Sequence, residues 1–259
     1  MQELEGGRAG KIFRSADNVY RPAGFWSPSV HLLLAHLRAQ QFMNAPEPVG
    51  FDESGNEIVS FVAGDVYNYP LRGAVASEEA LCSAARLLRR YHDASATFLE
   101  KDAHKDLSWL LPAKEPQEVI CHSDYAPYNV VLEGNCVVGM FDFDGAHPAP
   151  RLWDIAYAVY CWTPFKTNPD DALGDLAQQS ARAKLFCDSY GLPQQDRHQL
   201  AEKMATRIEA LVAFMHDEAR KGNAAFIANI ADGHDKSYLN DIAYLRRHAD
   251  TITLQLIAD

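Results

Sequence analysis

The spacing of apolar and polar positions changes character along the chain. Up to about residue 62 the apolar residues come in short runs separated by polar turns. Lys11-Ile12-Phe13-Arg14 and Asn18-Val19-Tyr20-Arg21 flank Ser15-Ala16-Asp17 and predict a hairpin. A second hairpin is expected from residues 49–51 and 57–62, around Glu53-Ser54-Gly55-Asn56. Between the two, Ser27-Pro28 opens a helix: serine is placed to cap the first amide hydrogens, and proline suits the first turn. Val30, Leu33, Leu34 and Leu37 follow helical spacing and give this helix an apolar face.

From Ser77 onward the period is that of long helices. Ser77-Glu78-Glu79 caps a helix carrying Leu81, Ala84, Ala85, Leu88 and Tyr91, with its acids at the positive end of the helix dipole. A loop rich in Lys, Asp and Pro follows over about 98–117, then two strands, then a helix beginning near Leu152. Further helices are expected at roughly 170–190, 196–221 and 237–257. The second of these sets Leu200, Met204, Ile208, Leu211 and Met215 on one stripe, which reads as a core face. The pattern predicts an α+β protein: a small strand-rich lobe, residues 1–62, joined near Gly64 to a larger, mainly helical lobe, residues 63–259. Clefts between lobes are common ligand sites.

Composition narrows the function classes. Hydrophobic residues make up 47% and charged residues 23%, the balance of an ordinary globular chain. No apolar stretch approaches the ~18 residues that span a bilayer. Met1-Gln2-Glu3-Leu4-Glu5 is acidic and lacks a signal-peptide core, so a cytoplasmic location with no membrane partner is expected. The net charge of −11 weighs against a nucleic-acid-binding surface. Residues 1–62 hold five Lys or Arg against seven Asp or Glu, a net −2, which leaves −9 on the remainder. Such acidity attracts a cationic acceptor, and equally it suits solvated helix faces such as Asp170-Asp171 and Asp217-Glu218. The five cysteines form no CxxC pair and suggest neither a disulfide framework nor a zinc site. Cys121 and Cys136 lie in apolar runs and are expected as buried thiols.

The chemistry is concentrated in residues 119–144. Two apolar strands, 130–133 and 136–141, flank Gly134-Asn135, a two-residue hairpin signal. Asn129 and Asp142 therefore finish at the same end of the hairpin, within a residue or two of register. Asp124 lies in the irregular loop that feeds this end, where Pro127 discourages regular structure. Clustered carboxylates repel one another unless a cation or proton sits among them. Oxygen donors of this kind suit Mg²⁺, which binds one or two carboxylates together with substrate phosphates. The remaining acid can then act as a base.

His122-x-Asp124-x4-Asn129, followed after a hairpin by Asp142, resembles the paired metal and base motifs of protein kinase-like folds. Phe141-Asp142-Phe143-Asp144 and the later Trp153-Asp154-Ile155-Ala156 resemble most closely the aminoglycoside phosphotransferase and choline kinase-like family. The resemblance is strongest over 119–160 and extends to 6–92. It implies a two-lobed kinase-like fold and transfer of the terminal phosphate of ATP or GTP to a hydroxyl of a small molecule. Asp124 would orient that hydroxyl and take its proton, while Asn129 and Asp142 would hold Mg²⁺ against the triphosphate. His122 would fix the catalytic loop, and Asp154 would tie down the segment after the metal site. Gly6-Gly7 would be a remnant of the phosphate-covering turn, and Ser60, Phe61 and Val62 would receive the purine. The sequence departs from the family in its small lobe, which is abbreviated and whose glycine turn is not a full GxGxxG. Arg21 stands where a phosphate-binding lysine is usual, with Lys11 as a second candidate, and an arginine fork is not equivalent to an ammonium. The helix from Ser27 holds no acid to pair with that cation, although His31 stands near the expected place. This departure leaves an alternative reading, a non-catalytic nucleotide- or ligand-binding protein on the same scaffold.

Overall fold

The structure, a computed structural model, describes residues 2–4, 12–100 and 106–258. These residues form two compact units. The first draws on 1–66, 87–125 and 129–151, and the second on 67–86, 126–128 and 152–259. Gly6-Gly7 and Lys11 lie outside the described residues.

In the first unit, β1 (Gln2–Glu3), β2 (Phe13–Ser15), β3 (Asn18–Pro22), β4 (Pro48–Phe51) and β5 (Asn56–Ser60) build one antiparallel sheet in the order β1-β2-β3-β5-β4. Both expected hairpins are present. The β4–β5 turn is closed by Asp52, whose carboxylate accepts the amide hydrogens of Ser54 and Asn56 at 2.9 Å each. The β3–β5 register sets Arg21 directly opposite Glu57, so the two side chains form a cross-strand pair. Helix α1 (Ser27–Ala39) buries Val30, Leu33, Leu34 and Leu37 as its spacing requires. Ser27 does not cap it. The chain enters through a tight turn, with the Ser27 amide donating to the Gly24 carbonyl. Trp26 becomes the cap residue, and the buried Ser27 hydroxyl accepts the Gly24 amide hydrogen at 3.0 Å.

The hairpin β7 (Val130–Glu133) and β8 (Cys136–Met140) packs in the same unit, with Val130 opposite Met140 and Gly134 in the left-handed region at φ 59°. Asn44, from the loop after α1, clamps it: its side-chain amide donates to the Val138 carbonyl at 2.6 Å, and its own carbonyl accepts the Met140 amide at 2.8 Å. Gly64 crosses the hairpin so closely that a Cβ there would lie 2.8 Å from Val131 Cβ and 2.9 Å from the Leu132 carbonyl. Beside it, Asp65 and Leu132 exchange two backbone hydrogen bonds of 2.9 Å. A second pair, β6 (Val119–Cys121) with β9 (His147–Ala149), was not expected. Each strand is three residues long, too short to show a period. Cys121 is buried, but Cys136 is exposed, because it opens β8 at the hairpin turn where the chain faces solvent.

Helix α2 (Glu78–Leu99) contributes its first turns to the second unit and the rest to the first. Its expected cap holds: the Ala80 amide donates to the Ser77 hydroxyl at 3.1 Å. The second unit continues with α3 (Arg151–Trp162), α4 (Leu176–Tyr190), α5 (Gln194–Arg220), α6 (Ala224–Ala231), α7 (His234–Arg247) and α8 (Ala249–Ile257). Along α5, Leu200, Met204, Ile208 and Met215 are buried as expected, while Val212 takes the core place anticipated for Leu211. The single helix expected over 237–257 is two, α7 and α8, divided at His248. At the centre of this unit, the wholly buried Asp241 accepts hydrogen bonds from the Tyr160 hydroxyl and from the Thr167 amide and hydroxyl, at 2.7 Å each. Lys166 donates to the Tyr160 hydroxyl and lies over the Tyr160 ring at 3.9 Å. Among the described residues no helix is long and apolar enough to cross a membrane.

Candidate active site

Strand β6 ends in His122-Ser123-Asp124, and this loop is held by its own histidine. The Asp124 amide donates to His122 Nδ1 at 3.3 Å, so the opposite ring nitrogen carries the proton and donates to the Phe141 carbonyl at 3.0 Å. The ring packs on Phe143, with centroids 4.8 Å apart. His122 thus fastens the Asp124 loop to the segment leading into Asp142. Asn129 adds a second fastening: its side-chain amide donates both to the Asp124 carbonyl, at 2.9 Å, and to the Asp124 carboxylate, at 2.8 Å. The Asn129 carbonyl in turn accepts the Phe141 amide at 3.0 Å. Asp124, Asn129 and Asp142 therefore meet at one end of the hairpin.

Asp142 adopts φ 62° and ψ 69°, a left-handed conformation that costs a non-glycine residue on the order of 1–3 kcal/mol. Surrounding contacts must hold it there, and Arg21 is one of them. One guanidinium meets three carboxylates: Nη1 bonds Asp142 at 2.9 Å, Nη2 bonds Asp144 at 2.8 Å, and Nε lies 2.8 Å from Glu57 Oε1. The last contact is an ion pair without hydrogen-bond alignment. Glu57 is 1% exposed and is held on its other side by His31, whose Nε2 stands 3.2 Å away. Burial alone would raise the carboxyl of Glu57. The His31 hydrogen bond and the Arg21 charge outweigh it, and the group sits below the usual carboxylate range. Burial likewise opposes the charge on Arg21, yet Asp144, Asp142 and Glu57 together hold the guanidinium firmly protonated.

One positive charge against three negative ones leaves two in excess, a balance that a divalent cation restores. The donors present are hard oxygens: the carboxylates of Asp142 and Asp144, and the amide oxygen of Asn129, whose nitrogen is committed to Asp124. Hard oxygens of this kind are the donors that Mg²⁺ takes, with phosphates and water completing its shell. Among the described residues no group of three or more His, Cys, Asp or Glu is arranged to hold a metal ion by itself.

Of the other expected nucleotide contacts, Ser60 and Phe61 have their amide hydrogens engaged, by the Glu47 carbonyl at 2.8 Å and the Asp17 carbonyl at 2.7 Å. Ser60 stands three residues along β5 from Glu57, roughly 10 Å away. Val62 packs against the hairpin, facing Gly139. Asp154 is wholly buried in the first turn of α3. Two members of the site were missed in the sequence, Asp144 and Glu57. Asp144 was visible as a second acid after Asp142. Glu57 could be found only from the β3–β5 register, since the acid partner of the cation was sought on a helix.

Residues 98–186 match the phosphotransferase enzyme family. With the relative described next, 33% identical over nearly the whole chain, this match shows that the chain belongs to the phosphotransferase enzyme family. It is similar over nearly its whole length to the trifolitoxin immunity protein of Rhizobium leguminosarum bv. trifolii, with 33% identity over 255 residues, 95% of this chain and 92% of that protein. Two solved structures share its fold. A choline/ethanolamine kinase family protein from Mesorhizobium loti superposes with a TM-score of 0.62 at 16% identity, covering 99% of this chain and 91% of the other. The GDP complex of aminoglycoside 2'-phosphotransferase-IIIa gives a TM-score of 0.56 at 14% identity, covering 93% and 92%.

Proposed function

We propose that the protein is a cytoplasmic, Mg²⁺-dependent phosphotransferase that moves the terminal phosphate of ATP or GTP to a hydroxyl of a small molecule. The observation that carries this reading is the Arg21–Asp142–Asp144 cluster tied through Phe141 and His122 to the Asp124–Asn129 pair. Residues 1–62 serve as the nucleotide-binding lobe and residues 63–259 carry catalysis and the acceptor. Asn129 and Asp142 hold the metal, and Arg21 meets the phosphates, with Lys11 as a further contact. Bound Mg²⁺ supplies charge neutralisation across the triphosphate. Asp124 takes the acceptor hydroxyl proton as the new oxygen–phosphorus bond forms and the bond to the nucleoside diphosphate breaks. The base rests at Ser60, Phe61 and Val62. With two of those amides engaged, its contacts there go to Val62 and to carbonyl oxygens.

The name of the immunity protein favours a toxic compound as acceptor, disarmed by phosphorylation. The −9 carried by residues 63–259 favours a cationic one, such as an aminoglycoside or an amino alcohol. The engaged Ser60 and Phe61 amides and the arginine at position 21 favour a second reading, a ligand-binding protein without turnover. Thermal unfolding with and without Mg²⁺ plus ATP or GTP tests the nucleotide site. A ligand at a hundred times its Kd stabilises by about 2.7 kcal/mol. The expected result is a metal-dependent rise in Tm that Asp142→Ala abolishes; no rise with either nucleotide refutes the phosphotransferase reading and puts the ligand-binding one ahead. Release of nucleoside diphosphate with an acceptor panel then separates transfer from binding alone.

A further inference from the structure

Arg21 does not hold its three carboxylates alike. Glu57 is 1% exposed, lies across the strand ladder from Arg21, and is held from behind by His31 at 3.2 Å. Asp142 is 43% exposed and sits on a left-handed turn. The Nε edge of the guanidinium is therefore anchored in the protein, while the Nη1 edge reaches a solvent-facing carboxylate.

We propose that Arg21 is a specificity-determining residue that makes the metal site accept a metal–nucleotide complex and refuse the bare metal, with Glu57 and His31 as its positioning residues. This inference rests on the phosphotransferase reading of the site. A bare divalent cation approaching Asp142 and Asp144 meets a guanidinium already bonded to both at 2.9 and 2.8 Å, and it brings that cation no new partner. A metal–nucleotide complex brings phosphate oxygens. Nη1 and Nη2 can exchange carboxylates for phosphates while Nε stays on Glu57, because the planar fork offers separate donors on separate edges. A lysine ammonium has no such division of edges. The arginine and the strand-borne acid thus form one device, in which the carboxylates are neutralised until the nucleotide arrives.

Mn²⁺ serves as a paramagnetic probe of the site, with binding followed by electron paramagnetic resonance, independent of turnover. It is titrated with and without ATP or GTP into the unaltered protein, Arg21→Met and Glu57→Gln. Arg21→Met is expected to bind Mn²⁺ alone about tenfold tighter than the unaltered protein and the Mn²⁺–nucleotide complex about tenfold more weakly. Glu57→Gln is expected to weaken the complex without tightening Mn²⁺ alone. Should Arg21→Met fail to fold because it strands Glu57, the Arg21→Met, Glu57→Gln double variant removes both charges and must show the same tightening. Unchanged or weaker binding of Mn²⁺ alone in the arginine variants overturns the inference while leaving the nucleotide site in place. Failure of the unaltered protein to bind the Mn²⁺ complex of either ATP or GTP overturns the phosphotransferase reading and this inference together.

Discussion

Replacing Gly64 with alanine loads a single methyl group onto the place where the strand-rich segment crosses the β7–β8 hairpin. Gly64 has φ 140°, and the new Cβ would lie 2.8 Å from Val131 Cβ and 2.9 Å from the Leu132 carbonyl, inside any normal contact distance. The backbone conformation alone costs an alanine on the order of 1–3 kcal/mol. Relief of the clash by moving the segment away would stretch the two Asp65–Leu132 backbone hydrogen bonds, each contributing about 1 kcal/mol. The expected destabilisation is about 3–5 kcal/mol, a fall in Tm of roughly 6–20 °C for a chain of this size. Gly55→Ala is the control: φ there is 83°, but no atom lies within 4 Å of the new Cβ, so about 1–2 kcal/mol is expected. Urea unfolding of both variants, monitored by fluorescence, measures the difference. Equal losses, or a Gly64→Ala loss under about 1 kcal/mol, would refute the claim that close approach, and not glycine flexibility alone, fixes this position.

Asp124→Asn is expected to keep the fold and metal–nucleotide binding while lowering turnover about 10²- to 10⁴-fold, read as nucleoside diphosphate release; undiminished turnover would remove Asp124 from the base role. Glu57 has a carboxyl held below its ordinary 4.5, so its contribution to stability is present above that pH and is lost as pH falls through the lower folded-state value. Glu57→Gln should therefore flatten the dependence of unfolding free energy on pH below 4.5, and parallel acid limbs in the two proteins would contradict the assignment. Alkylation of the native protein, mapped by mass spectrometry, should modify exposed Cys136 first. Cys187, whose thiol is pushed up to about 12 by burial, should react only on unfolding.

The hairpin 130–141 was legible because two apolar runs flank Gly134-Asn135, but its register shifts by one between Val131 and Leu132, an irregularity that no sequence pattern marks, and with that shift Asn129 faces Phe141, next to Asp142. Helix α1 was legible from Val30, Leu33, Leu34 and Leu37, but its cap was not, since Ser27 was drawn inward by the turn at Gly24. The partner of Arg21 was hidden for a different reason. Glu57 pairs with it across strands 36 positions apart in sequence, and nothing local to either residue specifies that register. Strands β6 and β9 escaped because three-residue segments carry no period, and Cys136 because an apolar run says nothing about which end meets solvent. The break at His248 divides a helix whose apolar pattern runs on through Ile252 and Leu256.

Neither compact unit is a continuous stretch of polypeptide. The chain passes from one to the other after residues 66, 86, 125, 128 and 151, and the three residues 126–128 between Asp124 and Asn129 belong to the unit other than the one holding those two side chains. No single cut separates the two units, because every cut divides at least one of them between the two pieces. Expression of a shortened chain is thus a poor route to an isolated nucleotide-binding piece: one ending at residue 62 would lack β7, β8 and the Asn44 clamp's partner strand. Limited proteolysis should give either the intact chain or rapid digestion to small peptides, with no long-lived intermediate corresponding to a lobe.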